Sequence, residues 1–159
     1  MGIMRLGYMH VRVTDLAEAK HHYSEEVGLN LTLEQDGKAY FKGWDEWDHH
    51  SVVLEEGGVG VVKAGFKVRY LEDLEVMESA AQKFGVTTER FSKGENAEVG
   101  DGVRFHIPMG QTIELYHDMT YLGVDVGTLN PEIRPRVLKG AGAPHLDQAL
   151  VKGADIETA

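Results

Sequence analysis

The fold is decided near the start of the chain, where a strand pattern runs directly into a helix signal. The stretch is Met4-Arg5-Leu6-Gly7-Tyr8-Met9-His10-Val11-Arg12-Val13-Thr14-Asp15. Tyr8, His10 and Arg12 fall on one face and apolar residues on the other, a period of two that predicts a half-buried strand. Thr14 or Asp15 can cap a following helix, because a side-chain oxygen there accepts free amide protons of the first turn.

Outward from this stretch, the pattern predicts one helix and three more strands. The helix runs to about Val27 and ends at Gly28, a residue well suited to a left-handed cap. Its predicted apolar stripe comprises Leu16, Ala19, Tyr23 and Val27. Asp36-Gly37 predicts a two-residue hairpin turn. The predicted strands are residues 29–34, 39–44 and 51–55.

The same order of elements then begins again after a glycine-rich interruption. Placing Gly28 over Gly85 superposes Val11 on Val68 without a gap, which indicates an internal repeat. The second set of predicted elements is a strand at 64–70, a helix at 71–84, strands at 86–91, 103–107 and 112–117, and a turn at Pro108-Met109-Gly110 between the last two strands. The predicted apolar face of this helix comprises Leu74, Met77, Ala81 and Phe84. We therefore predict an α+β fold of two βαβββ modules, residues 1–60 and 61–118, whose sheets enclose a cleft.

The last forty residues lack this pattern. Residues 119–144 contain Pro131, Pro135 and a small-residue hinge, and we predict a linker that wraps over the two modules. Residues 145–159 resemble the start of a truncated third module, with a first strand over 145–151 and a helix cap at Asp155. The sequence stops before such a module is complete.

Composition excludes several classes of function. The 159 residues include 16 basic and 26 acidic ones, for a net charge of −10, and no Cys. The acidic balance argues against binding to nucleic acid, which needs clustered Lys and Arg, and against an anionic membrane surface. Without Cys there are no disulfides, zinc thiolate sites or Cys nucleophiles, which fits a cytoplasmic protein. No apolar run approaches the ~20 residues of a membrane helix.

The strand faces suggest one candidate metal site. Tyr8 and His10 share a face of the first strand, and Glu114 lies on the last strand of the second module. If both faces line the cleft, His10 and Glu114 can approach each other, but no second His is placed beside them. A filled cavity of hydrogen-bonded polar residues is the alternative interpretation.

The other histidines and the tryptophans have plainer interpretations. His21 and His22 are expected on a solvated helix face, and His49-His50 in a surface turn, because adjacent strand residues point to opposite faces. Trp44 and Trp47 are expected either to pack in the core or to anchor a subunit contact.

The sequence as a whole resembles the amino-terminal half of the extradiol catechol 2,3-dioxygenases. The opening stretch quoted above is similar to theirs, and the linker carries the most specific similarity. The linker residues are Leu129-Asn130-Pro131-Glu132, Pro135-Arg136, Leu138-Lys139-Gly140 and Leu146-Asp147-Gln148-Ala149-Leu150. The resemblance implies the vicinal oxygen chelate (glyoxalase/bleomycin resistance/dioxygenase) fold, with four modules in a full-length member. It also implies meta cleavage of catechols by dioxygen in the breakdown of aromatic compounds. The carboxy-terminal pair of modules then holds Fe(II) through two His and one carboxylate.

The sequence departs from that family in ways that bear on activity. Gln148 stands at the position of the family's first iron-ligand His, and the later ligands and catalytic residues have no counterpart in this chain. In the amino-terminal modules the corresponding places hold Tyr8, roughly Gly65, and Glu114, a vestigial set. The resemblance therefore implies a non-catalytic scaffold portion that is inactive alone, binds no iron itself, and assembles as a homo-oligomer.

Two other functions stay open at the level of sequence. The chain can be a self-sufficient two-module enzyme that uses His10 and Glu114 with a metal. Alternatively, it is a binding or assembly module without chemistry. The sequence does not specify which ring substituents a parent enzyme prefers. It also does not specify whether the truncation is natural or engineered, or whether Gln111 and Gln148, which stand where the family more often has His, are natural or engineered.

Overall fold

The computed structural model describes residues 2–107, 110–124 and 137–150 of the chain. Within these ranges the chain forms strands and helices in the predicted order. The elements are β1 (Ile3–Val13), α1 (Leu16–His21, continued by a π-helical segment, His22–Val27), β2 (Asn30–Gln35), β3 (Lys38–Lys42), β4 (Val52–Glu56), β5 (Gly60–Val68), α2 (Asp73–Lys83), β6 (Thr88–Phe91), β7 (Gly102–His106) and β8 (Thr112–Tyr116). The β-α-β-β-β order therefore occurs twice, as the repeat predicted.

The chain divides into two compact units. The first unit comprises Tyr8–Gly60 and the described part of Thr120–Leu146. The second comprises the described residues of Val61–Met119, those before Tyr8 and those from Asp147 to Leu150. Strand β1 is thus shared, with its first residues in the second unit and its remainder in the first.

In the first unit the strand order is β2-β3-β4-β1, with β1 parallel to β4 and the other pairs antiparallel. The local signals read from the sequence are confirmed. Asp15 accepts a hydrogen bond from the Glu18 amide at 2.9 Å, and Gly28 ends the helix at φ 85°. Asp36 and Gly37 have φ of 51° and 73°, the positive pair that a type I′ hairpin needs.

The core of the first unit lies between the helix and the sheet. Its buried centre is formed by Leu29, Ala39, Phe41 and Leu54. The helix contributes the predicted apolar stripe, which comprises Leu16, Ala19, Tyr23 and Val27. One amphipathic helix thus covers one face of its sheet, as the 3.6-residue spacing predicted.

The second unit repeats this arrangement with the order β5-β8-β7-β6, and β5 is parallel to β8. Its buried centre is formed by Val68, Leu74, Val103 and Leu115, with Met77 of α2 packed against it. One predicted contact is wrong: Phe84, assigned to the apolar face of α2, is 79% exposed. Helix α2 ends at Lys83, so Phe84 falls on the cap, where the side chain leaves the buried stripe.

Two further expectations differ from the structure. His49 and His50 were expected in a surface turn, yet both are buried, because loop residues and neighbouring rings enclose them. Residues 145–150 form no strand, and the amide of Leu146 donates to a side chain rather than to a strand ladder. The expected turn at 108–109, the linker motifs in 125–136 and the cap at Asp155 lie outside the described residues.

The described helices were also assessed as membrane spans. None of them is long and apolar enough to cross a membrane.

Candidate functional site

The first polar cluster lies on the face of β1 predicted from its alternation. Tyr8 and His10 are 1% and 5% exposed. The Nε2 atom of His10 lies 3.1 Å from Oε2 of Glu55 on β4, and the Nε atom of Arg12 lies 3.1 Å from Oε1 of the same carboxylate. His10 therefore has a carboxylate neighbour within its own module, one that the sequence did not indicate.

The surroundings of Glu55 favour its charged form. Partial burial raises the pKa of the Glu55 carboxyl, but the hydrogen bond from Arg12 and the charges of His10, Lys38 and Arg12 outweigh that effect. The pKa of Glu55 consequently lies below its ordinary value. The negative charge of Glu55 is therefore balanced by neighbouring side chains of the protein.

Aromatic rings enclose His49 and His50 of the first unit. The ring of His50 packs edge-on against Tyr8 at 5.4 Å and against Tyr40 at 5.0 Å between centroids. Nδ1 of His49 lies 3.1 Å from Nδ1 of His50. Burial raises the pKa of Tyr40, so its hydroxyl stays neutral over a wider pH range. The cluster is hydrogen-bonded and ring-packed, which agrees with the filled-cavity alternative.

The second polar cluster surrounds Glu114, which is fully buried on β8. Register places Glu114 beside Gly65 of β5 on one side and Arg104 of β7 on the other. Its Oε1 lies 3.1 Å from Nζ of Lys63 and 3.2 Å from Nε of Arg104. Asn96 donates to Oε2 at 3.0 Å. Glu114 is therefore a buried carboxylate with two cations within ion-pair distance.

Arg104 is itself held by several acidic groups. Burial lowers the pKa of the Arg104 guanidinium, but the hydrogen bond with Glu95 and the charges of Glu114, Glu95 and Glu89 raise it by more. The pKa of Arg104 therefore lies above its ordinary value. Arg104 stays protonated beside Glu114, so the positive charge next to this carboxylate is permanent.

These surroundings do not fit a ferrous iron site. Fe(II) in this family's chemistry needs two imidazoles and a carboxylate with open positions, and the cations beside Glu114 repel a divalent ion. Among the described residues, no group of three or more His, Cys, Asp or Glu is arranged to hold a metal. Gln148, at the family's first ligand position, is exposed and offers a neutral amide.

The remaining candidates are located as follows. His21 and His22 are exposed on the helix, as predicted, and His22 pairs with Glu26 at 2.7 Å. His10 lies in the first unit and Glu114 in the second, and their meeting in one cleft stays a prediction. Sequence reasoning did not identify Glu55 as the partner of His10. Its position on β4, the last strand of the first module, could have indicated it.

The two tryptophans differ in their exposure and in their partners. Trp44 is half-buried, and its Nε1 donates to the carbonyl of Gly142 at 3.1 Å. Trp47 is 41% exposed and stacks on Tyr121 with 5.2 Å between ring centroids. Trp44 thus packs within the first unit, and Trp47 presents an aromatic surface.

Known proteins similar to this chain include dioxygenases. Residues 64–120 match the family model described as the catechol 2,3-dioxygenase-like N-terminal domain. The metapyrocatechase of Pseudomonas sp. (strain CF600) is 36% identical over 159 residues, which is 98% of this chain and 52% of that protein. A manganese-dependent 2,3-dihydroxybiphenyl 1,2-dioxygenase of Geobacillus genomosp. 3 is 24% identical over 74% of this chain and 38% of that protein.

Solved structures show the same similarity in three dimensions. The 2,3-dioxygenase LapB of Pseudomonas sp. KL28 matches with a TM-score of 0.91 at 36% identity, covering 99% of this chain and 56% of that one. An extradiol ring-cleaving dioxygenase of B. fuscum matches with a TM-score of 0.71 at 31% identity, covering 76% of this chain and 34% of that one.

The recognition made from the sequence is therefore confirmed as a similarity: the chain resembles extradiol catechol dioxygenases along 98% of its length and has the α+β vicinal oxygen chelate fold. It spans about half the length of the metapyrocatechase that it matches.

Proposed function

We propose that this chain is the amino-terminal scaffold portion of an extradiol catechol dioxygenase and does not cleave catechols by itself. In the full-length enzyme, Fe(II) and dioxygen would act on a catechol-type ring in modules that follow this chain. The proposal also includes a cytoplasmic location and assembly as a homo-oligomer. The scaffold assignment is supported by similarity to longer dioxygenases over about half of their length and by the match to an N-terminal domain model.

The observation that carries the proposal is the environment of Glu114. This carboxylate retains the place of a metal ligand, yet Lys63 and Arg104 lie within ion-pair distance of one of its oxygens. Two fixed cations beside a buried carboxylate satisfy its charge and oppose an incoming divalent ion. The described residues of this module are thus arranged as a packed ionic network. That arrangement serves a scaffold better than an open coordination site.

An anaerobic iron-loading assay tests the proposal. The purified chain is loaded with Fe(II), mixed with catechol and oxygen, and followed by oxygen uptake and by the absorbance of the yellow ring-opened product. Metapyrocatechase from Pseudomonas sp. (strain CF600), treated identically, is the positive control. We expect no turnover above that of buffer with Fe(II), and iron-dependent product formation by this chain would contradict the proposal.

Two variants separate the proposal from the self-sufficient enzyme. If His10 and Glu114 held a catalytic metal, His10→Ala and Glu114→Ala would both abolish stoichiometric metal in the purified protein. We expect the metal content of both variants to equal that of the unaltered chain. Equal content and absent turnover would together favour the scaffold.

A further inference from the structure

A short segment near the end of the described chain closes the carboxy-terminal end of the first helix. The amide of Ala141 donates to the carbonyl of Glu26 at 2.7 Å, and the amide of Ala143 donates to the carbonyl of Val27 at 3.1 Å. The last carbonyls of a helix have no partner within it, so they need donors from elsewhere. Here those donors come from residues more than a hundred positions away. We call residues 139–146 the strap.

The loop that joins β3 to β4 holds the other half of the strap. The amide of Asp45 donates to the carbonyl of Pro144 at 3.0 Å, and Nε1 of Trp44 donates to the carbonyl of Gly142 at 3.1 Å. We call residues 43–51 the clasp loop. All four of these hydrogen bonds use backbone atoms of the strap. The path of the strap is therefore recognised largely independently of its side chains.

Two glycines allow the backbones to approach this closely. A Cβ at Gly43 would overlap the carbonyl of Pro144, and a Cβ at Gly140 would overlap the carbonyl of Glu26. Gly43 does not have a left-handed backbone, so its own conformation does not require glycine. The close approach of the strap explains this glycine.

Glu46 connects the clasp loop to the end of the strap. Its side chain is 5% exposed and accepts hydrogen bonds from the amide of Gly43 and the hydroxyl of Ser51 on Oε2. The amide of Leu146 donates to Oε1 at 3.0 Å. Three donors converge on one carboxylate, a group that only accepts. A glutamine at this place would turn an NH₂ group toward at least one of the donors.

The clasp loop and Lys42, the last residue of β3, also bind the chain at residues 122–123, near the start of the linker. Nζ of the buried Lys42 donates to the carbonyls of Glu46 and Gly123 at 2.8 and 2.7 Å. The amides of Leu122 and Gly123 donate to the carbonyl of Trp47 at 2.9 and 3.0 Å. The segment between Gly123 and Leu146 is therefore anchored at both ends on one short loop.

We infer that the clasp loop and the end of the first helix form a docking surface for the main chain of the strap. Glu46 is the positioning residue that fixes the point at which the polypeptide leaves the first unit. The occupant of this surface is a segment of the same chain, and its recognition needs no metal and no substrate. The inference extends beyond the proposed scaffold function, and a failed catechol assay would leave it intact.

Hydrogen–deuterium exchange with mass spectrometry tests the inference in the full chain. Gly43→Ala adds one methyl group against Pro144 and removes no hydrogen-bonding group, whereas Glu46→Gln alters the acceptor for Leu146. In both variants we expect peptides covering the strap to exchange about tenfold faster. Glu46→Gln weakens the hydrogen bond from Leu146, and Gly43→Ala forces the overlapping carbonyl of Pro144 away from the clasp loop. Glu56→Gln, at an exposed carboxylate on the end of β4, is the matched control and should leave exchange unchanged.

The outcomes distinguish docking from a general loss of structure. Faster exchange in the strap with unchanged protection of β7 and β8 supports the inference. Unchanged strap exchange in Gly43→Ala overturns it, as does a strap that exchanges at the unprotected rate in the unaltered chain. If Glu46→Gln also exposes β7 and β8, that variant has unfolded, and Gly43→Ala decides the matter.

Discussion

At the scale of single residues, glycines mark where another part of the chain comes too close for a side chain. Gly102 is the first residue of β7, and a Cβ there would overlap the ring of Phe91 and the carbonyl of Leu115. Its backbone is not left-handed, so crowding alone accounts for the glycine. The requirement is set by packing and cannot be read from local sequence.

Gly102→Ala is therefore expected to destabilise the protein by about 1–3 kcal/mol, the usual cost of overpacking a filled core. Urea unfolding followed by Trp fluorescence measures the change. Val61→Ala, at a position 52% exposed on β5, is the control and should shift the free energy of unfolding by less than about 0.5 kcal/mol. A neutral Gly102→Ala would mean that the ring of Phe91 moves aside without penalty.

The residue signals that sequence predicted well were those with local causes. Asp15 as a helix cap, Gly28 as a helix end and Asp36-Gly37 as a hairpin depend on backbone geometry within a few residues. His49 and His50 could not be placed in this way. Their burial depends on rings from Tyr8 and Tyr40, which lie on other strands.

At the scale of elements, charged residues form a row across three strands of the first unit. Register sets Arg12 of β1 and Lys38 of β3 on either side of Glu55 of β4. Nζ of Lys38 lies 3.9 Å from the Glu55 carboxylate. The row explains why the pKa of Glu55 lies below its model-peptide value of 4.5 despite burial.

This row predicts a pH dependence of stability. A carboxyl whose pKa is lowered by folding stabilises the folded state above its unfolded pKa, and that stabilisation is lost as pH falls through the folded pKa. We expect Glu55→Gln to lower the free energy of unfolding at pH 7 and the difference to shrink progressively below pH 4.5. Urea titrations of both proteins across that range measure it. A difference that persists unchanged at the lowest pH would assign the effect to packing.

The element order was predictable because periods of two and of about 3.6 residues are local properties. The strand expected at 145–151 was not found over its described residues, although the alternation is present. A strand also needs a partner, and alternation alone does not supply one. The interpretation of Glu114 was limited in the same way, since Lys63 lies far from it in sequence.

At the scale of the whole molecule, the stacked pair Trp47 and Tyr121 is the exposed aromatic feature that best fits the proposed homo-oligomer. Tyr121 is 64% exposed, and the stack is held in place by hydrogen bonds from Leu122 and Gly123 to the Trp47 carbonyl. Rigid aromatic groups are enriched among residues that dominate subunit contacts.

Light scattering tests this proposal directly. We expect a mass of at least twice the 17.6 kDa of one chain, and Trp47→Ser is expected to reduce it toward the single-chain value. Phe84→Ser, at another exposed aromatic residue, is the matched control and should keep the assembled mass. A monomer at all concentrations would contradict the proposed assembly.

The strap has a consequence for how the protein is made on the ribosome. The chain emerges from its amino end, so α1 and its π-helical continuation are synthesised more than a hundred residues before Ala141 and Ala143. In the meantime β5 can pair with β8 within the second unit. The helix of the first module to emerge is thus completed at its end only after these strands exist. Until then, the helix end and the clasp loop stay exposed to chaperones and to premature contacts.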